Sequence, residues 1–328
     1  MNRANSVLPI LTATGILGIA SQSALAQTTV FSDTFGNGST VQTTPTPPTA
    51  NSTTYQWFQQ GGTPATPTIA LGDLHLAGRT TSSSISELQA LFTTSPVTLQ
   101  NVGDSLNFTI VFADTQNIFP ASSASTLNIG LYNSGGSAPV TGVRLDSSGS
   151  GTGGAVGWNG YLARIGGTGG ATSAIITRPP QGAGITNPNQ SQDVLFNGAS
   201  GSSTFNNPTG TLVANSGGQF DAGLTQGSTY TLSYSIILSA AGTLTIDDNL
   251  YDSGNNLLVS QTGSTSTSIV TSYDALAFGW RYNSTSAASS VDVSSISVTE
   301  NLAAIPEPTT ATLALAGFGL FLVRRFRR

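Results

Sequence analysis

Few side chains in this sequence are suited to acid–base or metal chemistry. The chain has one histidine, His75, and no cysteine. This excludes thiol catalysis, cysteine–zinc sites and metal sites built from several histidines. A Ser-His-Asp triad would require His75 as its base. Because His75 lies between Leu74 and Leu76 on a predicted strand, a structural or surface role for the imidazole is favoured.

The carboxylates of the chain are also poorly placed for catalysis. Glycoside hydrolysis needs two carboxylates about 5 to 10 Å apart, and the glutamates in the body of the chain are Glu87 and Glu300, far apart in sequence. Asp247 and Asp248 are neighbours on a predicted strand, so their side chains point to opposite faces of its sheet. We therefore predict that the protein is not an enzyme and keep glycoside hydrolysis as a third hypothesis.

Two further patterns concern ligand binding. Asp247, Asp248 and Asp252 supply the oxygen ligands that Ca²⁺ prefers, but their spacing does not fit an EF-hand loop, and Asp is an ordinary residue of tight turns. Trp158, with Tyr161 nearby, is a candidate exposed platform for a sugar ring, although a Trp in a sandwich more often lies in the core. No other cofactor is predicted.

The elements that must position these side chains are β-strands. Hydrophobic and polar residues alternate over 106–113 and 230–238, and similar alternation covers 127–131 and 276–283. This period of two is typical of strands with one buried face. Trp280 lies on the same face of its predicted strand as other large apolar residues, and we therefore assign it to the core.

Turn signals rich in Gly, Asn, Asp and Ser separate the strands. The stretch 230–261 is predicted to form a three-stranded meander. The hydrophobic parity changes between Val293 and Ile296, which predicts a β-bulge at Ser294-Ser295.

Helix is scarce in the predicted structure. The best candidate is 85–92, where Ser84 and Glu87 have capping-box spacing. A loop preceding a strand at 96–99 is an equally simple interpretation. Residues 43–54 and 166–189 are rich in Thr, Pro, Gly and Ser and are predicted to be surface loops or mobile insertions.

Many short antiparallel strands without cysteine indicate an all-β fold, an antiparallel two-sheet jelly-roll sandwich. The pattern resembles the concanavalin-like, laminin-G-type jelly roll, particularly over 243–259 and over 278–282, which a Val-x-Val strand follows. The resemblance implies a fold and not a function, because one fold hosts many functions.

The charge balance argues against nucleic acid as a partner. The chain has no lysine, and five arginines face fourteen carboxylates between residues 27 and 303, a net charge of about −9. Such a surface repels phosphate backbones, whose recognition depends on cationic contacts. The low charged fraction, 8% of the chain, is typical of adhesive and matrix proteins whose surfaces are rich in hydroxyls and amides.

The first 26 residues have the pattern of a secretory signal peptide. Arg3 supplies a positive charge, residues 7–20 form an apolar stretch, and Ala24-Leu25-Ala26 matches the small-x-small cleavage pattern. We predict cleavage after Ala26, with a retained anchor as the alternative.

The C-terminal residues combine three features in order. Pro306-Glu307-Pro308 precedes an uncharged apolar run at 311–323, and the run precedes Arg324, Arg325, Arg327 and Arg328. The run can enter hydrocarbon as a helix, and the arginines should remain cytoplasmic as a membrane stop. A buried helix with a solvated basic tail is the alternative.

This arrangement resembles the PEP-CTERM sorting signal, which exosortases process. The resemblance implies recognition at Pro306-Glu307-Pro308 by a membrane-embedded cysteine transpeptidase and removal of the tail. It also implies delivery to the surface or exopolysaccharide matrix of a Gram-negative-type bacterium.

The sequence thus divides into a signal peptide (1–26), a β-sandwich domain (27–303) and a sorting signal with a transmembrane helix (304–328). We expect an exported cell-surface or extracellular-matrix protein with a structural or adhesive role. Its expected partners are an exosortase, the inner membrane transiently, and exopolysaccharide. A carbohydrate-binding module that retains matrix polysaccharide is the alternative.

Overall fold

The structure is a computed structural model. It describes residues 27–36, 56–60, 67–70, 72–78, 84–136, 144–145, 155, 157–167, 172–178, 194–196, 211–215, 219–267, 269–282 and 289–302. The predicted signal peptide, the predicted sorting signal and the predicted loop at 43–54 lie outside these residues. Within the described part of the chain, no helix has the length and apolar character needed to cross a membrane.

Sheet 1 has eight strands. Its order is β15 (Leu257–Thr265), β14 (Thr243–Asp252), β13 (Thr229–Ala240), β7 (Ser105–Asp114), β18 (Ser290–Asn301), β4 (Asp73–Ala77) and β3 (Thr68–Ala70), and β1 (Gln27–Asp33) also pairs with β18. All of these pairs are antiparallel.

Sheet 2 also has eight strands. Its order is β12 (Thr211–Asn215), β11 (Ala174–Arg178), β10 (Asn159–Gly166), β8 (Thr126–Asn133), β17 (Ala275–Tyr282), β5 (Ser84–Leu91), β2 (Gln56–Gln60) and β9 (Arg144–Leu145). Its pairs are antiparallel except for the parallel pair of β2 and β9. A separate two-stranded sheet joins β6 (Val97–Thr98) to β16 (Ser272–Tyr273).

The main hydrophobic core lies between the two sheets. The apolar face of β7 packs against the apolar face of β17, and the rings of Phe112 and Phe278 lie 5.5 Å apart. Trp280 is fully buried in the same core, as its parity predicted. Each side chain of this size contributes about 1.5 to 3 kcal/mol when it is buried. The predicted all-β, antiparallel two-sheet sandwich is confirmed, and the arrangement is consistent with a jelly roll.

Two details of sheet 1 also confirm predictions. β13 pairs with β14 and β14 pairs with β15, which together form the predicted meander. The register of β18 against β7 shifts between Val293 and Ser295, so the predicted bulge is present. The bulge returns Ile296 and Val298 to the core side of the sheet, where both are fully buried.

Two predictions of local structure are wrong. The stretch 85–92, predicted as a helix or a loop, forms strand β5, because its backbone pairs with β2 on one side and with β17 on the other. The predicted loop at 166–189 contains strand β11, which pairs with both β10 and β12. In both places pairing with neighbouring strands overrides the local signal, although β17 is distant from β5 in sequence and β10 directly precedes β11.

The central strands of sheet 2 are buried on both of their faces. All eight residues of β17 are buried, including Ala277, Gly279 and Arg281 on the side that points away from sheet 1. A second hydrophobic cluster covers this outer face, and it includes Trp158, Leu162, Ile176 and the segment 194–196. The outer face of sheet 2 is therefore enclosed at its central strands, where it includes the buried polar residues Glu87, Gln89 and Asn128.

Candidate functional site

The outer face of sheet 2 has a row of paired residues at its centre. Glu87 of β5 lies opposite Gly279 of β17, Gly279 lies opposite Asn128 of β8, and Asn128 lies opposite Arg164 of β10. Gln89 follows Glu87 on the same face and donates a hydrogen bond to Glu87 Oε1 at 2.8 Å. Glu87, Gln89 and Asn128 are almost completely buried. They therefore form a buried cluster of polar side chains.

Glycines at two positions of this face leave room for neighbouring atoms. A Cβ on Gly130 would lie 2.4 Å from the Tyr132 hydroxyl and under 3 Å from its ring, so the ring of Tyr132 lies across Gly130. A Cβ on Gly279 would lie 2.4 Å from the Ser86 carbonyl oxygen and 3.1 Å from the ring of Phe196. Both 2.4 Å contacts are shorter than those of real Cβ atoms, so a side chain at either position would require the Tyr132 ring or the β5 backbone to move.

Residues 194–196 occupy this face. Glu87 accepts hydrogen bonds from the backbone N–H groups of Val194 and Leu195, each at 3.2 Å. The Tyr132 hydroxyl donates to the Val194 carbonyl at 3.0 Å, and the Asn128 amide donates to the Leu195 carbonyl at 2.9 Å. The polar side chains of the face therefore hold a piece of the protein's own backbone.

A second piece of chain, at Ala155 and Trp158, covers the neighbouring part of the same face. The Arg178 guanidinium donates to the carbonyl of Trp158 and, at 3.3 Å, to that of Ala155. The rings of Trp158 and Tyr132 lie 5.8 Å apart. Trp158 is fully buried between these groups.

The candidate sugar platform at Trp158 and Tyr161 is therefore wrong. Both residues have 0% exposure, because Trp158 packs in the hydrophobic cluster on the outer face of sheet 2 and Tyr161 faces the main core. The Tyr161 hydroxyl accepts a hydrogen bond from the Val270 N–H at 3.0 Å.

The chemistry available on this face is hydrogen-bond recognition. On β5, β17, β8, β10 and β11, as the structure describes them, Glu87 is the one carboxylate, so these strands do not provide the pair that glycoside hydrolysis needs. Asn128 Oδ1 and Thr126 Oγ1 are buried and have no hydrogen-bond partner among the described residues. Burial also lowers the pKa of Arg281, which lies beside Thr126 in the sheet.

His75 and Glu300 lie elsewhere. His75 is on β4, as predicted, and its Nδ1 is 2.5 Å from Asp292 Oδ1 in a half-exposed pair. Glu300 is on β18 of sheet 1, and burial raises its pKa. Neither residue lies on the strands of sheet 2, which carry Glu87.

The candidate calcium ligands do not converge. Asp248 is buried between the sheets, Asp247 points to the opposite face of β14, and both oxygens of Asp252 accept hydrogen bonds within its own turn, from Gly254 and Asn256. In the described ranges, no group of three or more His, Asp or Glu residues is placed to hold a metal ion. The Asp252 cluster is a turn, which was the alternative interpretation.

Asp248 belongs to a polar cluster inside the main core. Gln261 donates to Asp248 Oδ2 at 3.1 Å and to the Arg164 carbonyl at 3.1 Å. Asp248 Oδ1 and the hydroxyl of Tyr234, the residue paired with Asp248 across β13 and β14, are buried without partners among the described residues. Burial raises the pKa of Asp248 to about 7, and the hydrogen bond from Gln261 opposes this shift.

Several other aspartates stabilise loops. Asp104 accepts from the N–H groups of Gln100 and Asn101, and Asp114 accepts from that of Ile118. Asp274 accepts from both the N–H and the hydroxyl of Ser134. These carboxylates have structural roles.

The sequence did not identify the residues that build the site. Gln89, Asn128 and Tyr132 were not candidates, and Glu87 was considered only as a possible catalytic acid and as a capping residue of the predicted helix. The available signal was the small or polar residues, such as Gly130 in β8 and Ala277 and Gly279 in β17, on the face opposite the large apolar residues, since residues of both faces are buried. Ala24, Ala26, Pro306, Glu307, Pro308 and the four C-terminal arginines lie outside the described residues.

Replacing Glu87 with Ala should destabilise the body. The buried N–H groups of Val194 and Leu195 would then lose their hydrogen bonds to the carboxylate, at about 1 to 3 kcal/mol each. We expect a loss of about 3 kcal/mol and a Tm lower by about 6 to 12 °C in circular-dichroism melting. Asp292→Ala, which removes a carboxylate from a half-exposed pair, is the matched control and should cost less than about 1 kcal/mol. Equal melting of the two variants would contradict the role of Glu87.

No protein-family model and no curated protein matches the chain. Among solved structures, the carbohydrate recognition domain of Emp46p in its potassium-bound form is similar at 11% identity, with a TM-score of 0.36 over 74% of this chain and 87% of that one. Arcelin-5, a lectin-like defense protein from Phaseolus vulgaris, is similar at 10% identity and a TM-score of 0.38 over 84% and 99%. An endo-1,3-beta-glucanase from Streptomyces sioyaensis is similar at 14% identity and a TM-score of 0.40 over 85% and 100%. Similarity at this level supports no statement about binding or activity.

Proposed function

We propose that this protein is an exported structural or adhesive component of the cell surface or extracellular matrix, which an exosortase releases from the inner membrane. The observation that carries the proposal is the order of Pro306-Glu307-Pro308, the apolar run 311–323 and the arginine cluster. The prolines keep the tripeptide extended and outside a helix. The Glu307 carboxylate is then presented beside the membrane, where a processing enzyme can bind it.

The described body supports a structural role. Asp104, Asp114 and Asp274 hold loops, and Glu87 holds the segment 194–196. On the outer face of sheet 2, the Glu87 carboxylate, the Asn128 side-chain N–H and the Tyr132 hydroxyl are thus engaged with the protein's own chain. Cell fractionation should find the mature chain outside the inner membrane and without the run 311–323.

Retention of matrix polysaccharide is the second candidate function, and one observation favours it. The outer face of sheet 1 carries a row of hydroxyl and amide side chains across five strands. In register order they are Ser297, Thr109, Ser233, Asn249 and Ser260. Neighbouring strands lie about 4.8 Å apart, so the row offers regularly spaced hydrogen-bonding groups on a partly exposed face.

A polysaccharide pull-down separates the two functions. If the protein is structural or adhesive without sugar binding, the full-length chain should not be retained by the exopolysaccharide of its host. If the row binds sugar, the wild type should be retained, and Ser233→Glu, which places charge and bulk at the centre of the row, should lose most of this retention. Thr267→Glu is the control, because Thr267 is exposed outside the strands. Retention that Ser233→Glu abolishes and Thr267→Glu preserves would replace the structural proposal by the second function.

A further inference from the structure

The last strand of sheet 1, β15, is held to the described body by few buried side chains. It pairs with β14 on one side and ends the strand order of the sheet. Of its nine residues, Gln261 and Gly263 are buried, and Val259 is half-buried against the main core. Gly263 brings no side chain to this contact. Local opening of β15 therefore costs little apolar burial, which is typical of the least stable parts of a fold.

Gln261 connects β15 to both sheets. It lies opposite Asp248 in the ladder of β14 and β15. Its Nε2 donates to Asp248 Oδ2 in sheet 1 and to the carbonyl oxygen of Arg164 in sheet 2, at 3.1 Å in each case. Opening of β15 withdraws this amide and breaks both contacts. Because β14 then becomes the last strand of the sheet, water can reach Asp248.

The surroundings of Asp248 in the closed body do not favour a charge. Its Oδ1 and the Tyr234 hydroxyl are buried without a partner among the described residues. The titratable side chains around it are Tyr234 of β13, Tyr161 of β10 and Tyr273 of β16, and burial raises the pKa of each. Arg164 presents its carbonyl here, since its side chain lies with Asn128 on the outer face of sheet 2. The described residues thus place no cation against this carboxylate.

We propose that opening of β15 is controlled by a proton: protonated Asp248 keeps the strand paired with the body, and ionised Asp248 favours its release. The carboxylate is hydrated when β15 is open and buried when it is closed, so the two states differ in their affinity for the proton. Release exposes the backbone edge of β14, and an exposed edge can pair with another strand. The inference does not depend on the proposed export or processing.

The expected size of the effect follows from proton linkage. The pKa of Asp248 should be the ordinary 3.8 in the open state, and burial raises it to about 7 in the closed state. The proton therefore stabilises the closed state fully below pH 3.8, and this stabilisation is lost as the pH rises to about 7. The equilibrium constant for opening should rise about tenfold per pH unit over this range, about 1,000-fold in all, and level off above it.

Hydrogen exchange of the full-length protein in detergent, followed by mass spectrometry of peptides that cover 257–265, measures this opening. Asp248→Asn cannot ionise and is the reference, because the intrinsic chemistry of exchange cancels when two proteins are compared at one pH. Relative to this reference, exchange of wild-type β15 should accelerate about tenfold per pH unit. Asp247→Asn is the control and should behave as the wild type, since its side chain lies on the opposite face of β14.

Peptides of β17 report opening of the whole body, because every residue of this central strand is buried. We expect β15 to exchange faster than β17 at every pH, as local opening requires. Equal pH dependence of β15 in the wild type and in Asp248→Asn would overturn the proposal. Exchange of β15 and β17 at one common rate would also overturn it, because the strand would then open only with the whole body.

A reversible disulfide tests the role of the strand without changing Asp248. The chain has no cysteine, and Asn249 and Ser260 lie opposite each other on the outer face of sheet 1. Asn249→Cys and Ser260→Cys in one chain should form a disulfide that ties β15 to β14, since opposite residues of antiparallel strands have a suitable Cα separation. The oxidised protein should lose the pH-dependent exchange of β15, and reduction should restore it. Exchange that keeps its pH dependence in the oxidised protein would contradict the proposal.

Discussion

Asp248→Asn should raise the free energy of unfolding at pH 8 by about 4 kcal/mol and leave it nearly unchanged below pH 4. The pKa of Asp248 rises from 3.8 to about 7 in the folded state because the carboxyl is buried between the sheets. One pKa unit corresponds to about 1.4 kcal/mol. Asparagine has the shape of the protonated acid and never ionises, so it avoids the cost of burying the charge.

The sign follows from proton binding. Between pH 3.8 and about 7 the folded state holds a proton on Asp248 that the unfolded state has released. The stabilising contribution is therefore complete below the unfolded-state pKa and is lost as the pH rises through the folded-state pKa. Burial also raises the pKa of Asp114 and Asp274. The wild type should therefore lose further stability as the pH rises.

Urea denaturation of the full-length protein from pH 4 to pH 8, followed by tryptophan fluorescence, measures this effect. Asp247→Asn is the matched control, because Asp247 lies on the same strand with its side chain on the opposite face. The difference between the two variants isolates Asp248 from the other carboxyls. A variant Asp248→Asn that is less stable than the wild type at pH 8 would contradict the structure of the cluster.

The fold was predictable wherever one strand face meets solvent. The alternation in β7 and β13 predicted which residues enter the main core, and the parity change in β18 predicted its bulge. These signals are local, because each strand of sheet 1 has one buried and one partly exposed face. The period-two pattern then follows directly from packing.

The site was not predictable for the opposite reason. β5 has buried residues on both faces, so Glu87 and Gln89 interrupt the expected pattern of a strand. The capping-box spacing of Ser84 and Glu87 therefore appeared to be a helix start. The partners that explain Glu87 are more than one hundred residues away, at Val194 and Leu195. A local pattern cannot report a contact of this range.

The burial of Trp158 could not be predicted from its local sequence either. Trp158 lies between Gly157 and Asn159, a setting that favoured an exposed platform. Its carbonyl is instead bound by Arg178, and its ring packs near Tyr132. A buried arginine twenty residues later in the chain decides its position, and neither the composition nor the spacing around Trp158 indicates that contact.

Glu307→Ala should abolish release of the protein while leaving export intact. If Pro306-Glu307-Pro308 is the processing signal, the variant lacks the one carboxylate of the tripeptide and should remain at the inner membrane with its tail uncleaved. Deletion of 324–328 should have the same result, because the arginines hold the tail in the membrane. Glu300→Ala is the control, since it removes the nearest preceding glutamate from β18 and leaves the tripeptide unchanged.

Cell fractionation combined with intact-mass analysis, in a host that carries the cognate exosortase, tests this central claim most directly. The wild type and Glu300→Ala should be recovered outside the inner membrane, with masses that lack the signal peptide and the C-terminal tail. Glu307→Ala and the arginine deletion should be recovered in the inner-membrane fraction, with masses that retain the tail. Release of both of these variants with the tail removed would contradict the sorting proposal.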